Sequence, residues 1–308
     1  MNSGFRDLLV RRRFDKFHTL WLAVAVQIAV LPLLAAAGWL SLPGIGFDAG
    51  RALLGGLIFG VAMAPAGGCS AGVWQHVGEG SVACIAAVLG FTVSIGSIVH
   101  LAGGSAAAPV PQAVVPSLAG QPLWMVALPA ALLLFVVAGR LAPSATAKGA
   151  WTWRRTGIVI GAAGISAWLL AGVDGRGFAL AIIPGNVAWF EAVLGAAPAR
   201  LNAATVLVVT ITLGAHVAAR VEGRFKWSKA SPRKLGGAFA GGVGLGLGGA
   251  LAAGCTVGLG LRATPLLAPG ALLFVPAAML GSWIVPLLQR LRQDSEPVSA
   301  SSAEIGMS

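Results

Sequence analysis

The charged residues of this 308-residue chain are gathered into short basic clusters that are separated by long apolar runs. All but four of its 21 lysines and arginines lie in clusters at 6–16, 140–155, 220–234 and 290–292. The runs between them are long enough to cross the roughly 30 Å hydrocarbon core of a bilayer as helices. Because backbone polar groups must be satisfied inside lipid, the pattern predicts an all-α polytopic membrane protein embedded in the lipid bilayer.

The composition argues against several other classes of protein. Charged residues make up 10% of the chain, against about a quarter in soluble domains, and the mean hydropathy is +0.85. The net charge of +11 lies beside the apolar runs, with no base-reading polar face, so nucleic acid is not an expected partner. Cys69, Cys84 and Cys255 are too few and too widely spaced for a disulfide framework or a zinc site. No cofactor or metal is predicted.

Hydropathy predicts eight membrane spans and one ambiguous segment. The first apolar run is too long for the core of a signal peptide and is interpreted as a retained span. Segment 177–197 is interrupted at Pro184 and is interpreted as an interfacial helix, a re-entrant hairpin or a ninth span. The predicted spans lie at 19–40, 51–68, 81–103, 121–141, 156–173, 201–219, 235–253 and 270–289.

The basic clusters predict the orientation of these spans. With the N-terminus in the cytoplasm, successive crossings place the strongly basic loops 140–155 and 220–234 on the cytoplasmic side, as the positive-inside rule requires. Arg290 and Arg292 then return to the same side. We therefore expect a multi-pass bacterial inner-membrane protein with both termini cytoplasmic and a disordered tail over 293–308.

A glycine-rich unit occurs twice in the chain. Residues 55–72 (GGLIFGVAMAPAGGCSAG) align without a gap on 241–258 (GGVGLGLGGALAAGCTVG), at the offset of 186 residues that separates Cys69 from Cys255. Small residues recur at every fourth position in both copies, which predicts a helix face that permits close approach of a second helix. The residues that recur are Gly55, Gly56, Gly60, Ala64, Ala66, Gly68, Cys69 and Gly72.

The two copies are predicted to cross the membrane in opposite directions. The first runs inward and the second outward, which is typical of inverted-repeat transporters whose substrate site lies where the repeats meet. We expect about eight to nine transmembrane or re-entrant helices in two inverted pseudo-symmetric halves. The halves are 1–150 with the Cys69 motif and 151–292 with the Cys255 motif.

The residues around each repeated cysteine suit a small anion. Glycine there permits the helix to unwind, and freed amides and helix N-termini stabilise negative charge. A thiol is a weak, polarizable donor that can contact sulfur without binding it tightly. Cys84 has no repeat partner and is interpreted as a packing residue. The residues assigned to the substrate path are Gly68, Cys69, Ser70, Gly254, Cys255 and Thr256.

Three ionisable residues near membrane depth are further candidates for this path. Glu79 either serves the path or caps the helix that begins at Ser81. His76 either assists an anion when protonated or is a solvated loop residue. Arg262 either attracts anions at the outer end or extends to the lipid headgroups.

The cysteine motifs resemble those of the YeeE/YedE sulfur-transport family. Residues 66–74 (AGGCSAGVW) with 78–80 (GEG) are similar to its first-half signature, and 253–261 (AGCTVGLGL) to its second. The resemblance extends to 4–7 (GFRD) and so covers nearly the whole chain. It implies an hourglass-like pseudo-symmetric helical fold, thiosulfate uptake as in the best-known branch, relay of the ion by the motif cysteines through S–H···S contacts, and a cytoplasmic sulfur-carrier protein as partner.

The start of the chain departs from the family pattern. Family members usually carry a further cysteine on a short helix before the segment that 4–7 matches, whereas this sequence starts at Met1. Either the start is truncated or the relay has one cysteine fewer.

The sequence thus predicts a transporter or channel, not an enzyme, for thiosulfate or a related small sulfur-containing anion that passes a cysteine-lined constriction. Three alternatives stay open. One is a membrane thiol redox enzyme or quinone-linked subunit, which the absence of a CxxC pair disfavours. The second is uptake of a different sulfur or selenium species, and the third is an accessory membrane subunit that transports nothing by itself.

Overall fold

The fold is almost entirely helical in the part of the chain that the structure describes. This computed structural model describes residues 5, 15–40, 45–46, 48–103, 112–113, 117–118, 121–122, 129, 151–174, 180–194 and 203–295. The helices are α1 (Asp15–Ala36), α2 (Ala49–Ala66), α3 (Ser70–Gly78), α4 (Val82–Leu101), α5 (Trp153–Asp174), α6 (Ile183–Val193), α7 (Ala203–Val221), α8 (Pro232–Leu251) and α9 (Pro269–Ser295). A π-helical turn (Gly258–Ala263) and a 3-10 turn (Thr264–Leu266) precede α9. Two antiparallel pairs of two-residue strands join Ile45–Gly46 to Gln112–Ala113 and Ser117–Leu118 to Gln121–Pro122.

Five helical segments in the described residues are long and apolar enough to cross a membrane. They are Lys16–Ala36, Ala49–Gly78, Val82–Leu101, Ala203–Val221 and Pro269–Gln289. They coincide with five of the predicted spans, which confirms a helical membrane protein.

For the other predicted segments, the structure shows a helix in some and does not describe the rest. The spans 156–173 and 235–253 fall on α5 and α8, and their crossing of the membrane stays a prediction. The span 121–141 lies almost wholly outside the described residues, as does the tail. Within segment 177–197 the structure describes residues 180–194, and there α6 is an 11-residue helix. A helix of that length is too short to cross alone, since a crossing needs about 20 residues.

Polar side chains fix where several of these helices begin. The Asp48 carboxylate accepts the Arg51 amide at 2.9 Å and caps α2, and the Ser81 hydroxyl accepts the Cys84 amide at 3.4 Å and caps α4. Ser231 caps α8 in the same way, directly before Pro232. Each cap satisfies an amide that the first helical turn leaves without a partner.

Glycines bring the central helices into backbone contact. Helix α2 packs most extensively on α8 and α9, and α8 packs on α4. A Cβ added at Gly60 would lie closer than 3.0 Å to the α9 backbone, and one at Gly242 would clash equally with the α4 backbone. The small-residue stripes predicted from the sequence therefore face neighbouring helices, as close packing in a membrane requires.

The contacts of the two glycine-rich helices are reciprocal. Gly55 of α2 lies against Ala252, which follows α8, and Gly241 of α8 lies against Ala66, which ends α2. Each member of one contact is 186 residues from its counterpart in the other. The contact of α2 with α9 corresponds in the same way to that of α8 with α4.

We predict that Gly242→Ala destabilises the protein whereas Gly237→Ala on the same helix does not. A Cβ at 242 meets the Ala87 carbonyl, while one at 237 has nothing within 4 Å. Overpacking typically costs about 1–3 kcal/mol, but alanine at an open helical position gains up to about 1 kcal/mol over glycine. Thermal unfolding of the detergent-solubilised variants measures the difference. A melting temperature of Gly242→Ala at or above the wild-type value would contradict the packing.

Candidate functional site

Each repeated cysteine lies just after a break at the end of a glycine-rich helix. Helix α2 ends at Ala66, and Gly67 adopts a left-handed φ of 83° before Cys69. Helix α8 ends at Leu251, and Ala253 adopts a left-handed φ of 53° before Cys255. The two left-handed residues are again 186 apart. The breaks make both cysteines the first residues of new helical segments.

The two cysteines begin these segments in similar ways. The carbonyl of Cys69 accepts the Val73 amide at 2.9 Å, and that of Cys255 accepts the Leu259 amide at 2.7 Å. The Gly258 amide donates to Cys255 Sγ at 3.4 Å, and a Cβ at the equivalent Gly72 would lie 3.5 Å from Cys69 Sγ. Each sulfur thus lies at the positive end of a short helical segment.

A side chain would be tight at the glycine before Cys69 and would clash at the glycine before Cys255. A Cβ at Gly68 would lie 3.1 Å from the Gly72 carbonyl carbon, and one at Gly254 would lie 2.5 Å from Leu259 Cγ. These residues let the chain turn back closely over the segment that follows each break.

A buried hydroxyl follows each thiol. Ser70 is 0% exposed and Thr256 is 1% exposed. Neither hydroxyl oxygen has a hydrogen-bond partner among the described residues. A polar group buried without a partner costs about 1–3 kcal/mol, so two such groups at equivalent positions call for an explanation.

The two motifs meet in the core of the protein. Cys69 and Cys255 are both buried in one apolar cluster, together with Val73 and Ile183. The Thr256 hydroxyl faces the Cys69 thiol across the boundary between the copies, although this contact lacks the geometry of an ordinary hydrogen bond. A thiol from one motif and a hydroxyl from the other therefore adjoin the same point.

The third cysteine lies behind the first break. Cys84 of α4 is buried, and its thiol donates to the Ala66 carbonyl at 3.9 Å. A Cβ at Gly67 would contact its sulfur at 3.5 Å. The contact supports the end of α2 and agrees with the interpretation of Cys84 as a packing residue.

His76 and Glu79 form a pair at the far end of α3. His76 Nδ1 lies 2.8 Å from Glu79 Oε2, and Gln75 Nε2 donates to Glu79 Oε1 at 3.0 Å. Burial opposes ionisation of Glu79, but these hydrogen bonds outweigh it and hold the pKa of the carboxyl below its ordinary value. The alternative in which Glu79 caps α4 is wrong, because the Ser81 hydroxyl, one residue before α4, performs that function.

The loop between α7 and α8 fastens the turn that follows this pair. The Ser228 amide donates to the Gly80 carbonyl at 2.9 Å, and the Val82 amide donates to the Ser228 hydroxyl at 3.3 Å. His216 Nδ1 lies 3.2 Å from the Gly78 carbonyl. The end of the first cysteine segment is therefore held against the basic loop 220–234.

Arg262 lies in the π-helical turn and is directed into the protein. Its guanidinium carbon is 5.4 Å from the centre of the Trp168 ring. Trp168 is 1% exposed, and its indole Nε1 has no hydrogen-bond partner among the described residues. The alternative in which Arg262 extends to the headgroups does not fit this placement.

Asn186 follows Pro184-Gly185, where the sequence suggests either a bond to broken backbone near a pore or a turn cap, and it is fully buried. Its Oδ1 accepts the Thr92 hydroxyl at 2.8 Å, and its Nδ2 donates to the Ile182 carbonyl at 2.9 Å. These bonds tie the start of α6 to α4. Its position after Pro184-Gly185 is the one signal in the sequence that marks it.

Comparison with known proteins identifies the family of this chain. The chain is 27% identical over 327 residues to the thiosulfate transporter TsuA of Escherichia coli (strain K12), which covers 98% of this chain and 92% of the relative. It is 27% identical over 246 residues to the thiosulfate transporter TsuA of Spirochaeta thermophila, which covers 73% of each chain. Residues 1–284 match the family described as sulphur transport. The chain therefore belongs to the sulphur transport family, a family of transporters and not of enzymes, as its cysteine motifs predicted.

Proposed function

We propose that this protein takes up thiosulfate, or a closely related small sulfur-containing anion, through a constriction formed by Cys69 and Cys255. One observation carries the proposal: two buried thiols are each followed by a buried hydroxyl that has no hydrogen-bond partner in the part of the chain that the structure describes, and Cys69 faces Thr256 of the other copy. The matched relatives, named as thiosulfate transporters, support the choice of anion. Membership of a transporter family leaves no support for a thiol redox enzyme.

The chemistry of the constriction suits passage better than retention. Ser70 and Thr256 offer hydroxyl donors, the thiols offer weak donors and polarizable sulfur, and the adjoining helical segments direct their positive ends at the same region. None of these groups carries a full charge. The hydrogen bonds would therefore bind a dianion strongly enough for it to enter and weakly enough for it to leave, as a transport path requires.

We further propose that the halves 1–150 and 151–292 are inverted repeats related by a pseudo-two-fold axis. Shifting α1, α2 and α4 by 186 residues places them on α7, α8 and α9 within a few residues at most ends. The reciprocal contacts around Gly55 and Gly241 support the same relation. In this arrangement the path crosses the bacterial inner membrane between the halves, and both termini are cytoplasmic.

The remaining path residues come shortly before or after the two cysteines in the sequence. Gly68 and Gly254 shape the breaks, and Arg262 and His76 lie seven residues beyond the two cysteines. On the cytoplasmic side we propose a sulfur-carrier protein as recipient, on the strength of the family resemblance.

We predict that Cys69→Ala and Cys255→Ala each lower uptake of labelled thiosulfate at least roughly tenfold in cells that lack other importers, because each removes a donor from the constriction. Cys84→Ala is the matched control, since it removes a buried thiol outside the path. Normal uptake by both path variants would exclude the relay. Competition by unlabelled sulfite, sulfate and selenium oxyanions identifies the substrate, and no uptake of thiosulfate by the wild type would show that the named anion is wrong.

We predict that Ser70→Ala and Thr256→Val raise the apparent KM for thiosulfate roughly three- to tenfold while keeping or raising the melting temperature. Removing a buried hydroxyl that has no protein partner relieves a desolvation penalty, so stability does not fall. Thr92→Val is the control, because its hydroxyl is bonded to Asn186 and its loss should lower the melting temperature. A fall in stability without a change in KM would indicate a structural role for the two hydroxyls.

A further inference from the structure

A second buried hydrogen-bond donor lies one helical turn after Ser70. The indole Nε1 of Trp74 is excluded from solvent and has no hydrogen-bond partner among the described residues, and the same holds for the Ser70 hydroxyl. A buried donor without an acceptor lowers stability, and a ligand that supplies the acceptor recovers the loss. Two such donors on one short helix therefore point to a ligand.

The two donors share one face of α3. Ser70 and Trp74 are four residues apart on this helix, which places them about 6 Å apart along its axis. Helical side chains lean toward the N-terminus of their helix, so the indole of Trp74 covers the turn that carries Ser70. Both donors thus converge at the start of α3, where the positive end of the helix dipole also lies.

The Trp74 side chain adjoins the core around the constriction. It packs against the apolar cluster that contains Cys69, Val73 and Cys255. The Ser70 side chain in the turn before it is fully buried. An anion between the two thiols would therefore meet these donors next on its way along α3.

Helix α7 fixes the position of Trp74. Thr212 Oγ1 lies 3.4 Å from the Trp74 carbonyl, and His216 Nδ1 lies 3.2 Å from the Gly78 carbonyl. Both contacts join residues 138 apart, so the two helices run in the same direction in a fixed register. A Cβ at Gly78 would clash with the Thr212 carbonyl, which shows that the backbones are in contact. The indole is thus held in place before a ligand arrives, which lowers the entropy cost of binding.

The second half has glycine at the position equivalent to Trp74. Ser70 corresponds to Thr256, which also carries a hydroxyl, whereas Trp74 corresponds to Gly260 in the π-helical turn. The indole donor is therefore specific to the first half. In the proposed orientation α3 runs from the constriction toward the cytoplasm, so this donor lies on the inner side.

The chemistry of the two donors selects an acceptor on the ligand. An indole N–H can donate but not accept, so it binds a group with exposed lone pairs. The oxygen atoms of a sulfur oxyanion are such acceptors, and their negative charge strengthens the hydrogen bond. The thiols suit the terminal sulfur of thiosulfate, while the indole and the serine hydroxyl suit its oxygen atoms.

We infer that Trp74 and Ser70 form an oxyanion subsite on the inner side of the constriction, in which the indole N–H and the hydroxyl bind oxygen atoms of the transported anion. The inference rests on the proposed function and narrows the substrate class to anions that carry oxygen atoms beside their sulfur. It also assigns Trp74 a direct contact with the substrate.

The test is Trp74→Phe, which keeps an aromatic ring and removes the N–H donor. We expect the apparent KM for labelled thiosulfate to rise roughly three- to tenfold in cells that lack other importers, because one hydrogen bond to the anion is lost. The rise in melting temperature that saturating thiosulfate gives to the purified wild type should shrink in the variant, since weaker binding stabilises less.

Trp283→Phe is the matched control. It truncates the same ring, but its indole Nε1 donates to the Phe5 carbonyl at 2.8 Å. We therefore expect this variant to lose more thermal stability than Trp74→Phe and to keep the wild-type KM.

Three results would count against these proposals. An unchanged KM in Trp74→Phe would overturn the subsite. Failure of this variant to fold, or a loss of melting temperature as large as that of Trp283→Phe, would assign Trp74 a structural role instead. In both cases uptake by the wild type would leave the proposed function intact, whereas no thiosulfate uptake by the wild type would overturn the function and the subsite together.

Discussion

The structure depends on direct contact between helix backbones in its centre. Gly60 lies on the backbone of α9 and Gly242 on that of α4, at distances that no Cβ tolerates. Lipid gives helices little hydrophobic reason to associate, so this contact and the dispersion it allows hold the central bundle together. Because the glycines end just before the breaks, the same contact brings the cysteine segments into one core.

Burial at the site follows from this packing and sets its chemistry. Around Cys69 and Thr256 the helices approach so closely that the hydroxyls are excluded from solvent. A donor that is dry and without a partner offers an anion a stronger hydrogen bond than a hydrated one. The same low-dielectric surroundings also strengthen the interaction of an ion with any full charge near the path.

Much of the fold could be predicted from the sequence because its signals are local. Hydropathy placed a span at 156–173 where α5 runs from Trp153 to Asp174, and the cysteine spacing anticipated two matching breaks. Signals that depend on distant partners were not visible. Asn186 bonds Thr92 from 94 residues away, and Arg262 was ambiguous until Trp168 was placed beside it. The sequence leaves Glu79 open between the path and a cap of α4, because a carboxylate near a helix start fits either role by spacing alone.

The two helix breaks lie at equivalent positions, but only the second has a strained backbone. Gly67 adopts its left-handed φ without strain, whereas Ala253 does so with a Cβ, at a cost of about 1–2 kcal/mol. The first chain reversal therefore carries no backbone strain of its own. The second reversal needs a neighbour to hold it, and Gly55 lies against Ala252, directly before the strained residue. Because the chain is made from its N-terminus, this contact surface of the first copy is synthesised before the strained reversal that it supports.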